Sequence, residues 1–377
     1  MDAPSCSLPQ IDELSAKDLA HVESHWRDLA TRALEPNPFA ESAFLSPAAR
    51  TIAPRRLAAL CVWESPARTR LNGLAILRAP LFPFAIVDVW RSEQAPLPAL
   101  LLDRERAGVA LEAVADWVAS RWPWAVGLNL DAVNVDGGLA KALRAMAARR
   151  SLPLDASNPR LRAALACGPG DSFAALLGAK RRKEWGRARR RLEERGKLEF
   201  AWSDNQSAIE DFLALEAAGW KGERGTALVA EPNRAAFARA MLAGFASDRR
   251  LRIARLSLGG RLIASGVVLR SSGRAFYWKT AFDSAFGEFS PGVQLTLSMS
   301  RDLETEPGLA LADSCADPNH SMIDRIWPAR IALADYALAT RVGARLLFPL
   351  GIAARRGKAY ARGCAKRFVS RRRGPRR

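Results

Sequence analysis

Histidine, cysteine and long apolar runs are all scarce in this chain of 377 residues. Its three histidines, His21, His25 and His320, give no basis for a histidine-rich metal centre, and no metal is expected. The five cysteines (Cys6, Cys61, Cys167, Cys315 and Cys364) are odd in number, scattered, and never spaced Cys-x-x-Cys. That usage argues for reduced thiols in a cytoplasm and against a zinc site. No apolar run is long enough to span a bilayer; the best, Gly73 to Trp90, is broken by Arg78, Pro80, Pro83 and Asp88. Met1-Asp-Ala-Pro lacks the basic and apolar regions of a secretion signal, so a cytoplasmic protein without a transmembrane segment is expected. What the chain does have is enough apolar residues, 49%, to fill full cores, and a length suited to two domains.

The formal charge of +18 sits in two places. Lys180 to Lys197 holds ten basic and three acidic residues, and Gly351 to Arg377 holds eleven basic residues and no acid. The remainder is neutral, so the basicity belongs to two local features rather than to a uniformly polyanion-coating surface. The basic helix reads either as a solvated face or as an arm that touches RNA, anionic lipid or a polyanionic substrate, and the tail, with Arg371-Arg-Arg and Arg376-Arg377, reads as disordered and adds attraction to the same polyanions.

Patterning predicts two halves with one order of elements. The first opens with a helix around Leu19, Val22, Trp26 and Leu29, ended by Pro36-Asn-Pro38. Strands at Leu57–Trp63, Leu71–Arg78 and Phe84–Trp90 follow, then a helix at Ala107–Ser120, a strand at Ala125–Leu130 and a helix at Gly138–Arg150. A linker is expected near Ser151–Gly170, which holds Pro153, Pro159 and Pro169. The second half begins with a basic helix from about Asp171 to Arg195. Helices at Gln206–Ala218 and Arg234–Phe245 follow, and then strands at Leu251–Leu258, Arg261–Arg270 and Arg274–Phe282. Gly259-Gly260 and Ser271-Ser-Gly273 fit tight hairpin turns. A helix after Gly292, a strand at Ala310–Ser314, a helix at Met322–Ala339 and a strand at Ala344–Pro349 complete the pattern.

One place implies a ligand from local geometry. Tyr277-Trp-Lys-Thr-Ala-Phe-Asp283 reads as an aromatic-rich strand. Shortly after it, Ser290-Pro291-Gly292 precedes a run with helical spacing through Val293, Leu295, Met299 and Leu303. A turn of that kind aims backbone N–H groups and the positive end of a helix dipole beyond the strand, a setting for phosphate or pyrophosphate. The equivalent place in the first half, Ser92–Pro98, has no glycine, so that half reads as a scaffold or substrate-binding partner.

The pattern resembles the GNAT acyltransferases. More closely it is similar to the CelD/BcsL-type acetyltransferases, which share a paired-GNAT architecture with the Fem-type peptidoglycan-bridge aminoacyltransferases. The residues that carry the resemblance are the basic helix Lys180–Leu192, Phe212-Leu-Ala-Leu-Glu216 with Trp220-Lys-Gly222 and Gly225-Thr-Ala227, the strand through Lys279 to Asp283, and Phe289-Ser-Pro-Gly-Val-Gln-Leu295. The first half matches in topology and in Pro36-Asn-Pro-Phe39. The usual acyl-CoA loop, Gln/Arg-x-x-Gly-x-Gly/Ala, is reduced here to Ser-Pro-Gly. The resemblance implies an α/β (α+β) fold of two tandem acyltransferase domains, each a mixed, mainly antiparallel sheet flanked by helices. A degenerate domain would span 1–160 and a catalytic one 161–370 with the basic helix at 171–195, ahead of a basic tail at 371–377.

It also implies acetyl-CoA or another acyl-CoA as co-substrate and an amine acceptor, such as an amino sugar or envelope precursor, that attacks directly. The pantetheine arm would lie where strand Arg274–Phe282 splays from Ala310–Ser314, and the N–H groups of Gly292 and Val293, with Ser290 and Pro291 shaping the turn, would take the pyrophosphate. Asp283, His320 and Glu216 are candidate proton acceptors, with Asp313 orienting His320; each has a plainer reading, as a strand-end cap, an incidental loop histidine, or a salt bridge to Lys221. Tyr277 is placed to protonate the leaving thiolate or simply to pack. Lys279 would hold a CoA phosphate or a substrate carboxylate, or face outward. Trp220 and Lys221 would meet the acceptor. Two other readings stay open: a Fem-type enzyme drawing its acyl group from aminoacyl-tRNA, which the basic segments favour, and a non-catalytic basic adaptor.

Overall fold

The computed structural model describes residues 9–15, 18–170 and 172–357, without the side chain of Trp220. The expected tail lies outside them. The first half contains β1 (Gln10–Leu14), α1 (Glu23–Thr31), α2 (Ser42–Thr51), β2 (Leu57–Trp63), β3 (Leu71–Arg78), β4 (Ile86–Val89), β5 (Leu100–Leu102), α3 (Ala107–Arg121), β6 (Gly127–Asn134), α4 (Gly138–Arg149) and β7 (Leu154–Ala166). The second contains α5 (Phe173–Leu176), α6 (Ala179–Glu193), β8 (Leu198–Ser203), α7 (Gln206–Ala218), α8 (Trp220–Glu223), α9 (Pro232–Ser247), β9 (Leu251–Leu258), β10 (Arg261–Ser271), β11 (Arg274–Phe282), α10 (Pro291–Glu304), β12 (Leu311–Asp313) and β13 (Ala329–Ala339).

All the strands join one mixed sheet, in the order β1-β2-β3-β4-β6-β13-β7-β12-β11-β10-β9-β8, with β5 beside β3. The halves repeat one plan. β1 to β4 run antiparallel to their neighbours and β4 then pairs parallel with β6. Likewise β8 to β11 are antiparallel and β11 pairs parallel with β12. The last strands are exchanged: β7, from the first half, pairs with β12 of the second, while β13, from the second, pairs with β6 of the first. β7 and β13 then pair with each other over most of their length.

Four expectations are corrected here. The stretch read as a linker is β7, and the division expected at residue 160 falls inside it. Its Pro159 is accommodated because Asn158 has φ of 53° and the register slips there against Leu333 and Asp335, a bulge that needs no proline N–H. The helix expected at Met322–Ala339 is a short 3-10 turn, Ile323–Arg325, followed by β13; a strand central to a sheet and buried on both faces shows no polar alternation to mark it. The strand expected at Ala344–Pro349 is instead a 3-10 turn, Val342–Ala344, that leads into a helical segment at 348–357. The basic helix breaks at Gly178 into α5 and α6. Both hairpins form as expected, with positive φ at Gly259, Gly260, Ser272 and Gly273.

One face of the sheet carries α1, α2, α7 and α9 over a core shared by both halves, in which Phe44 meets Phe237 and Phe39 meets Phe276 edge to face. Asn37, from Pro36-Asn-Pro-Phe39, caps the turn at Phe39 and donates to the Pro98 carbonyl at 2.8 Å, so this motif positions the first half against β11. Glu41 is buried across the same seam against Arg250 and Ser271. On the other face α3 and α4 cover the first half, and α6 and α10 the second.

Candidate active site

β11 and β12 pair only from Arg274 to Phe276. β12 then stops at Asp313 while β11 runs on to Phe282, so six residues of β11 have no partner on that side. This is the fork that the family resemblance implied. A bulge at Trp278 lies within it: Val267 faces Lys279 and Val268 faces Tyr277, leaving Trp278 unpaired. The bulge sends neighbouring side chains to different layers. Tyr277 is buried against α10, its Oη 3.2 Å from Thr296 Oγ1, and burial raises its pKa. Trp278 packs in the shared core on the opposite face and donates from Nε1 to the Gln94 carbonyl at 2.6 Å.

Lys279 is on that opposite side as well. Its Nζ lies 5.0 Å from the Trp278 ring centre, and it feels the charges of Lys221, Glu216 and Arg234. Burial first, and then Lys221, bring its pKa down to about 8, against a smaller pull upward from Glu216. Thr280, by contrast, points back toward Gly292. Lys279 is therefore separated by the sheet from the α10 turn, where a CoA phosphate was expected to meet it.

Glu216 is buried at the end of α7. It accepts from Lys221 Nζ at 2.8 Å and from the Leu228 N–H at 2.8 Å. Lys221 also donates to the Thr280 carbonyl at 3.2 Å, which ties the pair to the unpartnered length of β11. Gly222 makes this possible, since a Cβ there would fall 1.7 Å from the Ala217 carbonyl oxygen. The salt bridge read from sequence is thus present, and it borders the fork.

The α10 turn differs from expectation in one respect. Ser290 caps α10 with φ of 52° and its carbonyl accepts from Val293 at 2.9 Å and Gln294 at 3.2 Å. Val293 N–H is consequently turned inward rather than offered to a ligand. Pro291 has no N–H. Gly292 is buried, and its N–H finds no acceptor among the described residues. Neither positive φ nor crowding requires glycine here: a Cβ would make ordinary contacts of 3.6 Å with Met322 Sδ and Phe282 Cδ1.

α6 borders the same turn. Trp185 receives a hydrogen bond from Gln294 at its carbonyl, 3.0 Å, and Leu192 is buried beneath the helix. Arg191 and Arg195 reach Glu288 and lie over the Phe289 ring at 4.9 and 4.5 Å. Arg181 donates to the Arg325 carbonyl at 3.4 Å. Arg181, Arg191 and Arg195 thus tie α6 and the residues after it to the turns at 323–325 and 284–289.

Three candidates are placed otherwise. Asp283 caps the 3-10 turn Ser284–Phe289 by accepting from Ala285 and pairs with Arg261 at 2.5 Å. His320 is exposed and its Nδ1 accepts from the Met322 and Ile323 N–H groups. Asp313 does not orient it; that carboxylate takes Arg162 at 3.3 Å and the Cys315 N–H at 2.7 Å. Arg162 was missed because it lies in the supposed linker. It is buried at the fork's base and also donates to the Ala316 and Pro96 carbonyls. Burial pushes the Cys315 thiol well up, so it stays protonated. No cluster of His, Cys, Asp or Glu among the described residues could hold a metal ion, and no described helix is long and apolar enough to cross a membrane.

Residues 179–318 match the family model described as Acetyltransferase (GNAT) domain, a stretch that runs from α6 to the far side of the fork. This part of the chain is similar to acetyltransferase domains of the GNAT class. A search of curated proteins returned no match. Among solved structures, a conserved protein of unknown function from Bacteroides thetaiotaomicron VPI-5482 superposes with a TM-score of 0.55 at 10% identity, over 87% of this chain and 98% of that one. The C-terminal domain of a candidate lysylphosphatidylglycerol synthetase from Agrobacterium fabrum gives 0.53 at 14% identity, over 89% and 96%. FemX gives 0.51 at 12% identity, over 87% and 96%. At such identities the likeness is one of fold.

Proposed function

We propose that the protein transfers an acyl group from acyl-CoA to an amine acceptor at the fork of β11 and β12. The observation that carries this reading is the buried, unpartnered N–H of Gly292 at the head of α10, beside the six residues of β11 that lack a partner on the β12 side. A buried donor without an acceptor costs roughly 1–3 kcal/mol, which a pyrophosphate oxygen would remove. The α6 cations supply attraction for the remaining phosphate charge. The thioester carbonyl lies along the unpartnered length of β11, where backbone N–H groups stabilise the oxyanion.

The acceptor amine enters from the side of Trp278 and Lys279. Its nitrogen attacks the carbonyl carbon, the C–N bond forms, the C–S bond breaks, and CoA leaves as a thiolate that takes a proton from Tyr277 or solvent. Lys279, with a pKa of about 8, is partly neutral at physiological pH and accepts the amine's excess proton. The Glu216–Lys221 pair holds that side of β11 in place.

Calorimetry with acetyl-CoA and free CoA tests the donor. Micromolar binding by the wild type is expected, with loss in Gly292→Trp and near-normal folding in Gly292→Ala. A well-folded wild type that binds neither ligand would remove the acetyl-CoA reading. The exposed cations of α6 favour a second donor, aminoacyl-tRNA; binding of it that persists at moderate salt would favour that source.

A further inference from the structure

The first half has its own fork, where β4 and β6 pair parallel only at 86–88 and 127–129. The helical segment 348–357 is laid into it. Gly351 permits the contact, because a Cβ there would meet Val126 Cγ2 at 2.7 Å and the Phe84 carbonyl oxygen at 2.8 Å. Arg355 fixes the segment by ion pairs to Asp88 and Asp131, and Arg356 pairs with Asp155.

Around this plug the surface is unusually apolar. Of the ten large apolar side chains most exposed among the described residues, seven are here: Leu81, Phe82, Phe84, Trp124, Val342, Leu346 and Leu350. They are neighbours in space. Phe82, Phe84 and Leu350 line one open cavity of about 530 Å³, Phe84 donates to the Trp124 carbonyl at 2.9 Å, and Arg341 reaches the Pro123 carbonyl. Leu346 is 88% exposed and Phe82 67%, so folding gains nothing from having them apolar.

Charge identifies the occupant. From Tyr336 to Arg377 the sequence holds thirteen basic residues and no acid. An apolar rim of leucine, phenylalanine and tryptophan, followed in sequence by so basic a stretch, matches an anionic bilayer surface, where apolar side chains enter the headgroup boundary and cations meet lipid phosphates. A nucleic acid would meet the same charge and find aromatic faces at Phe82, Phe84 and Trp124, but Leu81, Val342, Leu346 and Leu350, which include the most exposed side chain of the face, offer it nothing.

We propose that the face formed by residues 81–84, Trp124 and 342–350 docks the protein on anionic phospholipid membranes. It does so independently of the acyl-transfer reading. The test is co-sedimentation of the full chain with vesicles of phosphatidylcholine alone and of equimolar phosphatidylcholine and phosphatidylglycerol. The wild type is expected to sediment with the mixed vesicles only. The double variant Phe82→Ser, Leu346→Ser is expected to lose about tenfold or more in vesicle affinity, with unchanged melting temperature and acetyl-CoA binding. Failure of the folded wild type to bind mixed vesicles would overturn the proposal. So would undiminished binding by the double variant, which would leave charge alone, or binding of RNA in preference to the vesicles.

Discussion

At Lys279 the folded protein carries an ammonium that burial and Lys221 both oppose. Its pKa falls from 10.5 to about 8, so the folded state releases this proton earlier than the unfolded chain does. Below pH 8 the native state therefore bears a cost that the unfolded chain escapes, and wild-type stability rises with pH between 8 and 10.5 as that cost disappears. Lys279→Met is accordingly expected to stabilise the protein at pH 7 by about 1–3 kcal/mol, a gain that shrinks toward zero above pH 10. Urea unfolding at a series of pH values measures it, and a gain independent of pH would contradict the assigned environment. The same variant is expected to lower turnover by about 10²-fold or more and to remove the limb of the rate profile near pH 8. A buried ammonium that costs stability beside the fork fits a role in the reaction better than one in packing.

Among the elements, α8 is held by a single close approach. Gly222 sits where any side chain would strike the Ala217 carbonyl, so Gly222→Ala must displace the turn that carries Lys221 onto Glu216 and Thr280. A loss of at least about 3 kcal/mol is expected, read as a lower urea midpoint; a wild-type midpoint would show that the turn yields freely. Much at this scale was legible in the sequence. β9 to β11, their two tight turns and α10 follow from alternation, glycine pairs and the strand-turn-helix order, all of them local, whereas the fork was implied by the family resemblance. The Glu216–Lys221 pair was legible from its spacing. What escaped was set by distant partners. β7 looked like a linker because its proline is tolerated through a bulge that only β13 reveals, and β13 looked helical because burial on both faces erased its period. Arg162 was lost along with β7. The inward turn of Val293 N–H depends on the left-handed Ser290, which a Ser-Pro-Gly string does not specify.

Over the whole molecule, the exchange of β7 and β13 and the core shared by α1, α2, α7 and α9 leave no surface along which the halves could part. Unfolding by heat is expected to be one cooperative event, with calorimetric and van't Hoff enthalpies in agreement. Two separate transitions in the scan would refute that coupling. The plug at 348–357 also sets the halves apart: the fork of the first is filled by the chain itself, while in the second six residues of β11 lack a strand partner on the β12 side among the described residues.

The exchanged strands also fix an order of events at the ribosome. β6 is complete at Asn134, yet the strand that covers its edge is finished only at Ala339, some two hundred residues later. At ordinary synthesis speeds that interval lasts roughly 10–40 s. Throughout it the nascent first half presents an uncovered, apolar sheet edge, a template for pairing with other chains. Newly made protein should therefore lean on chaperones more heavily than its finished stability would suggest, and premature termination before β13 should yield aggregates rather than a working first half.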